Sequence, residues 1–208
     1  MIRAGLIALT LSLSHGVQGA TIYNNGSPDQ VSGTNMSEFL VAENFTLGAA
    51  ADITNIRFWS IQSSATEYTG SVYWAVYNNV SNQPGSILQG NSTASVAGTA
   101  TGNSTGFGYA EYSFDIPVVF QLAAGNYWLA LHNGPLATTA PSEMLWATTA
   151  VSIGSNGKYL DGAWIDTGNE HAFRLDGTPV SSGQIPEPTT FALLAGGLAA
   201  TAFLRRKS

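Results

Sequence analysis

Short segments in which apolar and polar positions alternate dominate the chain between residues 22 and 178. GSVYWAVYNN (70–79) puts Val72, Trp74 and Val76 on one face of an extended strand and the residues between them on the other. A period of two residues is typical of a β-strand with one buried face. The same pattern occurs in GNYWLALHNG, EFLVAENFTL, ITNIRFWSI, GYAEYSFDI, EMLWATT and EHAFRLDG.

The segments between these strands contain turn residues and no helical pattern. Gly, Asn, Asp, Pro and Ser bound the strands, as in NNVSNQPGS, TGNSTGFG and HNGP. No window of the body repeats apolar residues at the three- and four-residue spacing of a helix. We therefore predict an all-β fold, a single antiparallel β-sandwich that is jelly-roll-like, with about eight to ten short strands.

The first twenty residues have the three parts of a secretory signal peptide. Arg3 is followed by an apolar run from Ala4 to Leu13 and then by small residues up to Ala20. We predict cleavage between Gly19 and Ala20, because Val17 is then three residues before the cut. The alternative is a short membrane anchor, although the apolar run has only half of the roughly 20 residues that a spanning helix needs.

The last residues combine an apolar segment with a basic end. Sixteen uncharged residues run from Thr189 to Leu204, interrupted by Gly196 and Gly197. As a helix they would measure about 24 Å, slightly less than the roughly 30 Å of a bilayer core. The positive-inside rule would keep the basic end in the cytoplasm. A short transmembrane helix here is either a permanent anchor or a label that is removed. The basic residues are Arg205, Arg206 and Lys207.

These features divide the chain into four parts. We predict a signal peptide at 1–19, a β-sandwich domain at 20–178, a linker at 179–188 and a membrane or sorting tail at 189–208. The linker, PVSSGQIPEP, is rich in Pro, Ser and Gly and contributes no core residues.

The C-terminal pattern resembles the PEP-CTERM sorting signal of Gram-negative bacteria. Pro186, Glu187 and Pro188 precede the apolar segment, and the basic cluster ends the chain. The resemblance implies that a membrane-embedded transpeptidase, the exosortase, recognises the triplet and removes the tail. It also implies an association with exopolysaccharide and biofilm. The alternative is a plain C-terminal anchor without processing.

The body resembles the bacterial surface β-sandwich modules that precede various anchoring signals. The resemblance rests on PGS (84–86), AAGNYWLALHN (123–133) and AFRLDGT (172–178). It implies a fold and a location, and it adds nothing about a ligand.

Charge and composition exclude several classes of protein. Residues 20–188 contain three cations and all 13 acids of the chain, a net charge of −10. Such a body repels a phosphate backbone, so we expect no nucleic-acid binding. The chain has no Cys, which excludes disulfides, thiolate metal sites and a cysteine nucleophile.

Candidate catalytic residues are few, and we expect no enzyme activity. His132 and His171 lie at strand ends, and no Ser occupies a G-x-S-x-G turn. Glu111 and Asp115 fall on one face of a strand about 13 Å apart, too far for glycosidase chemistry. A solvated polar face explains this pair better.

Calcium and glycans are the remaining candidate ligands. Oxygen ligands suited to Ca²⁺ are present, but no D-x-D-x-D-G loop occurs, so we expect no cofactor and keep Ca²⁺ as an alternative. They are Asp161, Asp166, Glu170 and Asp176. Of the five Trp, Trp164 lies between turn residues and is the first candidate for glycan stacking, followed by Trp146 and His132.

We conclude that the chain is a non-enzymatic exported protein of the cell surface or extracellular matrix. Its expected partners are an exosortase, extracellular polysaccharide and, transiently, the inner membrane through the tail. The alternative function is a carbohydrate-binding module for a neutral glycan, and a secreted hydrolase comes third.

Overall fold

The computed structural model describes residues 19–138, 142–151 and 156–180. Within these ranges the chain forms fourteen β-strands and one short 3-10 helix, Ala65–Glu67. In chain order the strands are β1 (Ala20–Asn24), β2 (Pro28–Asn35), β3 (Leu40–Leu47), β4 (Ala51–Gln62), β5 (Val72–Val80), β6 (Gln83–Ala94), β7 (Gly98–Ser104), β8 (Ala110–Leu122), β9 (Gly125–Asn133), β10 (Leu145–Thr149), β11 (Lys158–Asp161), β12 (Ala163–Asp166), β13 (Glu170–His171) and β14 (Phe173–Pro179).

The strands form two antiparallel sheets. Sheet A has eight strands, with β1, β14, β4, β8 and β7 side by side and with β10, β2 and β13 beyond one end of β4. Sheet B has six strands in the order β12-β11-β3-β9-β5-β6. The longest pairing joins β4 to β8 from Ala51 to Gln62, so β4 is the centre of sheet A.

One apolar layer between the sheets forms the main core. It takes alternate residues from the central strands, as the sequence pattern predicts, and β8 and β4 contribute the most buried side chains, five and four. Its largest fully buried side chains are Trp146, Phe45, Phe58, Phe114, Phe173 and Met36.

A second apolar cluster covers the outer face of sheet B. Trp128 and Tyr77 belong to it, and Trp164 on β12 packs against it. In a flat sheet β12 would lie about 19 Å from β5, four strand spacings away. The rings of Trp164 and Tyr77 are nevertheless 6.0 Å apart. The β11–β12 hairpin therefore curls over the outer face of sheet B, so its middle strands are buried on both sides.

The β5–β6 connection is a tight hairpin turn. Its two loop residues, Ser81 and Asn82, have φ angles of 50° and 62°. Positive φ at both central positions defines a type I′ turn, whose twist matches that of the strands. This turn places Asn79 and Asn82 near the end of β9, where they line a cavity described below.

The all-β prediction and the two-sheet arrangement are confirmed. The predicted signal helix, apart from Gly19, and the predicted membrane helix lie outside the described residues. In the part of the chain that the structure describes, no helix is long and apolar enough to cross a membrane.

A close backbone approach in sheet A generates the first prediction. A Cβ on Gly177 of β14 would overlap the carbonyl oxygen of Asp52 on the neighbouring strand. Gly177→Ala should therefore lower the free energy of unfolding by roughly 1–3 kcal/mol, because backbone atoms have to move. Urea unfolding followed by circular dichroism measures the change.

Gly48→Ala is the matched control, because a Cβ at Gly48 meets no atom within 4 Å. Its free energy of unfolding should stay within about 0.5 kcal/mol of the wild type. Equal stabilities of the two variants would contradict the close packing of β14 on β4.

Candidate functional site

The three residues predicted to contact glycan lie in different surroundings. Trp146 is fully buried, and its indole N–H donates to the carbonyl oxygen of Ala172 at 2.9 Å. His132 is 3% exposed, and its Nδ1 lies 3.0 Å from the carbonyl oxygen of Gly134. A buried ring presents no face to a sugar, so glycan contact does not fit Trp146 or His132. Trp164 is half-buried, so part of its ring reaches solvent.

A cavity of about 350 Å³ opens at one end of sheet B. Side-chain amides line much of it, and two of them are already oriented. Asn79 accepts the indole N–H of Trp128 at 2.8 Å, and Asn126 accepts the hydroxyl of Thr46 at 2.7 Å. Since both use their carbonyl oxygens, both keep N–H₂ groups as donors. The cavity is therefore uncharged and suited to hydrogen bonding.

A buried polar cluster links the two sheets. Glu43 lies on the inner face of β3, between core residues of sheet B. Its Oε2 accepts the backbone N–H of His171 on β13 of sheet A at 2.8 Å and lies 2.8 Å from the Nδ1 of that ring. Its Oε1 accepts the backbone N–H of Asn44 at 2.9 Å. The side chains of Glu43 and His171 have no exposed surface, so neither reaches a substrate in solvent.

Glu170 and Asn25 extend this cluster. Asn25 donates from Nδ2 to the carbonyl oxygen of His171 at 2.9 Å and to Oε2 of Glu170 at 3.3 Å. The hydroxyl of Tyr23 donates to Oδ1 of Asn25 at 2.7 Å. The other ring nitrogen of His171, Nε2, lies 2.7 Å from the hydroxyl oxygen of Thr34. The cluster thus ties β1, β2, β3 and β13 together.

Burial decides the protonation of the cluster. It raises the pKa of Glu43 to about 8 and, together with the nearby charge of Glu43, the pKa of Glu170 to about 7. It lowers the pKa of His171 to about 4. At neutral pH His171 is therefore uncharged, Glu43 is mostly protonated, and Glu170 is close to the midpoint of its titration. A neutral His171 with its proton on Nδ1 donates to Glu43 and accepts from Thr34.

A larger polar cavity, of about 600 Å³, lies on the outer face of sheet A. Arg57 donates from Nε and Nη2 to the two carboxylate oxygens of Asp115 at 2.8 and 2.6 Å. Arg174 donates from Nη2 to Asp176 at 3.0 Å, and its Nε lies 2.9 Å from the other carboxylate oxygen without hydrogen-bond geometry. Asn55 joins the pairs by donating to Asp115 at 2.7 Å. These are two of the three cations of residues 20–188.

Sequence reasoning missed both groups of residues, because their members are far apart in the chain. The Glu43–His171 contact joins positions 128 residues apart. Reading Glu111 and Asp115 as one solvated face was also wrong for Glu111. That side chain is 2% exposed, and its Oε1 accepts an amide N–H of Asn103 at 3.1 Å.

The residues proposed for calcium do not converge. In the described ranges, no group of three or more His, Cys, Asp or Glu side chains is placed to hold a metal ion. Asp166 pairs with Lys158 at 3.0 Å, and Asp176 pairs with Arg174. Asp161 is exposed, and Glu170 belongs to the buried cluster. Calcium therefore remains an untested alternative to the expectation of no cofactor.

Comparison with known protein families identifies the C-terminal pattern. Residues 184–207 match the family model of the PEP-CTERM protein-sorting motif. The chain carries a PEP-CTERM sorting motif. The match includes the predicted triplet and the three basic residues of the tail, and the body ahead of it is β-rich. No curated protein matches the chain.

The PEP-CTERM motif indicates an exported protein that an exosortase processes and sorts to the cell surface. Pro186, Glu187, Pro188 and the basic end lie outside the described residues. At the other end, Ala20 begins β1 and pairs with Gly177 of β14. Cleavage between Gly19 and Ala20 stays a prediction, and it would leave β1 complete.

The buried cluster generates a prediction about stability and pH. Glu43 and Glu170 have raised pKa values in the folded protein, so unfolding releases their protons once the pH exceeds 4.5, the ordinary pKa of a glutamate side chain. Stability from this source is present at low pH and is lost as the pH rises to about 8. His171 has a lowered pKa and acts in the opposite direction, chiefly below 6.5, the ordinary pKa of histidine. Between pH 6.5 and 8 the free energy of unfolding should therefore fall, by roughly 1–2 kcal/mol.

Glu43→Gln should flatten this fall, because glutamine does not titrate. Glu38→Gln, at an exposed position beside the same strand, is the control and should keep the wild-type slope. Urea unfolding at pH 6.5, 7.25 and 8.0 measures the slopes. A wild-type stability that rises over this range would contradict the assigned protonation.

Proposed function

We propose that the protein is a non-enzymatic component of the cell surface or extracellular matrix, delivered by an exosortase and associated with exopolysaccharide and biofilm. The observation that carries the proposal is the PEP-CTERM motif at residues 184–207, directly after a β-rich body. The motif would direct export and sorting, and the β-rich body would be the part delivered to the cell surface.

The tail would act in two steps. The sixteen uncharged residues from Thr189 halt in the inner membrane as an intermediate, and the Arg-Arg-Lys end stays in the cytoplasm. A span this short holds the chain only marginally in a bilayer core of about 30 Å. The exosortase would then recognise the Pro-Glu-Pro triplet and separate the tail from the body.

The absence of catalysis is the second part of the proposal. His132 and His171 are 3% and 0% exposed. The carboxyl pair of Glu43 and Glu170 is buried with them. A general base has to reach the proton that it removes, and these groups face other protein atoms. Their arrangement supports a structural role.

We also propose that the sandwich is a jelly roll. Sheet A contains the order β1-β14-β4-β8, and sheet B contains β3-β9-β5-β6. Numbering these eight strands along the chain gives 1-8-3-6 in one sheet and 2-7-4-5 in the other. Neighbours of this kind arise when a long hairpin folds over on itself, which supports a jelly roll built from two Greek keys.

Binding of a neutral glycan is a second candidate function. The supporting observation is the outer side of sheet B, where Trp164 is half-buried and amides line an uncharged cavity. Trp164→Ala should weaken the retention of the protein in gels that contain a neutral polysaccharide. Unchanged retention would remove Trp164 from such a site.

The delivery route is tested by changing the triplet. Pro186, Glu187 and Pro188 are replaced by Ala in the full chain, expressed in a host that has an exosortase. The variant should remain in the inner-membrane fraction with its tail, because the recognition motif is lost. Cell fractionation with immunoblots for the body and for the tail measures this.

The control replaces Ser181, Ser182 and Gly183 by Ala, three residues that precede the matched motif. It should be processed like the wild type. If the triplet variant reaches the surface without its tail, the exosortase route is wrong.

A further inference from the structure

Trp59 differs from the other four tryptophans of the chain. Trp128 and Trp146 donate their indole N–H groups to Asn79 and to the carbonyl oxygen of Ala172. The other two have aromatic neighbours, because Trp74 stacks on Phe120 and Trp164 packs edge-on against Tyr77. Among the described residues, Trp59 has neither a ring partner nor a hydrogen-bond acceptor, and it belongs to neither apolar cluster.

Trp59 lies between polar residues and the buried Ile61 on the outer face of sheet A. On β4 the residues Ile56 and Phe58 point into the core, so Asn55, Arg57 and Trp59 share the outer face of sheet A. Ser113 lies directly opposite Trp59 on β8. The indole is half-buried, with Arg57 on one side and Ile61 on the other, so part of its ring reaches solvent and its N–H has no acceptor among the described residues. The ring is therefore available for a contact that the protein itself does not supply.

The 600 Å³ cavity lies on the same face, and Trp59 does not itself line it. Arg57, which lines it, is two residues away along β4, a distance of about 7 Å. The other residues that line it in the mature protein are Thr21, Thr54, Asn55, Asp115, Arg174 and Asp176. Gly19 also lines it and would leave with the predicted signal peptide. Its volume falls within the roughly 300–1,000 Å³ of ligand pockets.

Charged side chains line the cavity, but their charges sum to zero. Two arginines and two aspartates line it, although residues 20–188 carry a net charge of −10. Each guanidinium is held by a carboxylate, which fixes the direction of its remaining donors. Arg57 uses Nε and Nη2 for Asp115, so the N–H groups of Nη1 are left. The site thus offers oriented donors and acceptors without a net charge to attract an ion.

We propose that the outer face of sheet A binds an uncharged glycan, with one sugar ring stacked on Trp59 and its hydroxyl groups hydrogen-bonded in the adjacent cavity. Sugar hydroxyls donate and accept, so they match guanidinium and carboxylate groups together. An anionic polymer is disfavoured, because Asp115 and Asp176 occupy the arginines and the body repels negative charge.

This inference rests on the proposed function only for the source of the ligand, the surface polysaccharide. The site itself differs from the one suggested for Trp164, which lies on the opposite sheet.

The test measures retention of the full chain by affinity electrophoresis in gels that contain dextran, laminarin or galactomannan, with alginate as the anionic comparison. The wild type should be retained by at least one neutral polymer and not by alginate. Trp59→Ala should weaken that retention about five- to tenfold, the scale of one lost aromatic contact. Phe107→Ala removes an exposed aromatic ring outside both candidate sites, so it is the matched control and should bind like the wild type. Trp164→Ala is measured alongside to separate the site on sheet A from the one suggested on sheet B.

A second variant distinguishes a loss of binding from a folding defect. Arg57→Gln combined with Asp115→Asn leaves the net charge unchanged and removes one ion pair. The two side chains are 33% and 44% exposed, so the pair adds little to stability. The double variant should keep the wild-type melting temperature and lose retention. Three results would overturn the proposal: no retention by any neutral polymer, retention that only Trp164→Ala weakens, or retention that neither Trp59→Ala nor the double variant changes. The second result would leave glycan binding in place and move it to sheet B.

Discussion

The fold depends on one shared apolar layer between two sheets, and that layer contains a polar exception. Every central strand contributes alternate side chains to it, so a shift of one residue in any strand would expose its core residues. Glu43 occupies one of these inward positions, and a buried carboxyl group is costly unless its hydrogen bonds are made. The ring of His171 and the backbone N–H groups of His171 and Asn44 make these hydrogen bonds. The cluster therefore fixes how the two sheets face each other, which apolar packing alone specifies less strictly.

The outer faces of the two sheets have different roles. The curled β11–β12 hairpin covers sheet B, and Trp164 closes over Tyr77 and Trp128. The outer face of sheet A has no such cover over its paired charges, and Trp59 on that face is half-buried. A surface protein needs at least one face that is free to meet its surroundings. In this protein the polar face of sheet A is better suited to that role than the apolar face of sheet B.

Much of the fold was predictable, because strand alternation is a local property. The segments from 70 to 79 and from 125 to 134 place their two faces as the pattern indicates. What the sequence could not show is which outer face would be covered, since Trp164 meets Tyr77 only through the curl of the sheet. The partners of Glu43 were hidden for the same reason. Alternation in ITNIRFWSI does put Trp59 beside Arg57, but its lack of a partner depends on strands that are distant in the chain.

The body and the sorting motif fit one sequence of events: the β-sandwich is exported and is then separated from its C-terminal tail. Intact-mass spectrometry of the protein recovered from the native cell surface tests this most directly. The account predicts a mass that lacks residues 1–19 and 189–208. A surface protein whose mass still includes Arg205, Arg206 and Lys207 would contradict it and would indicate a permanent anchor.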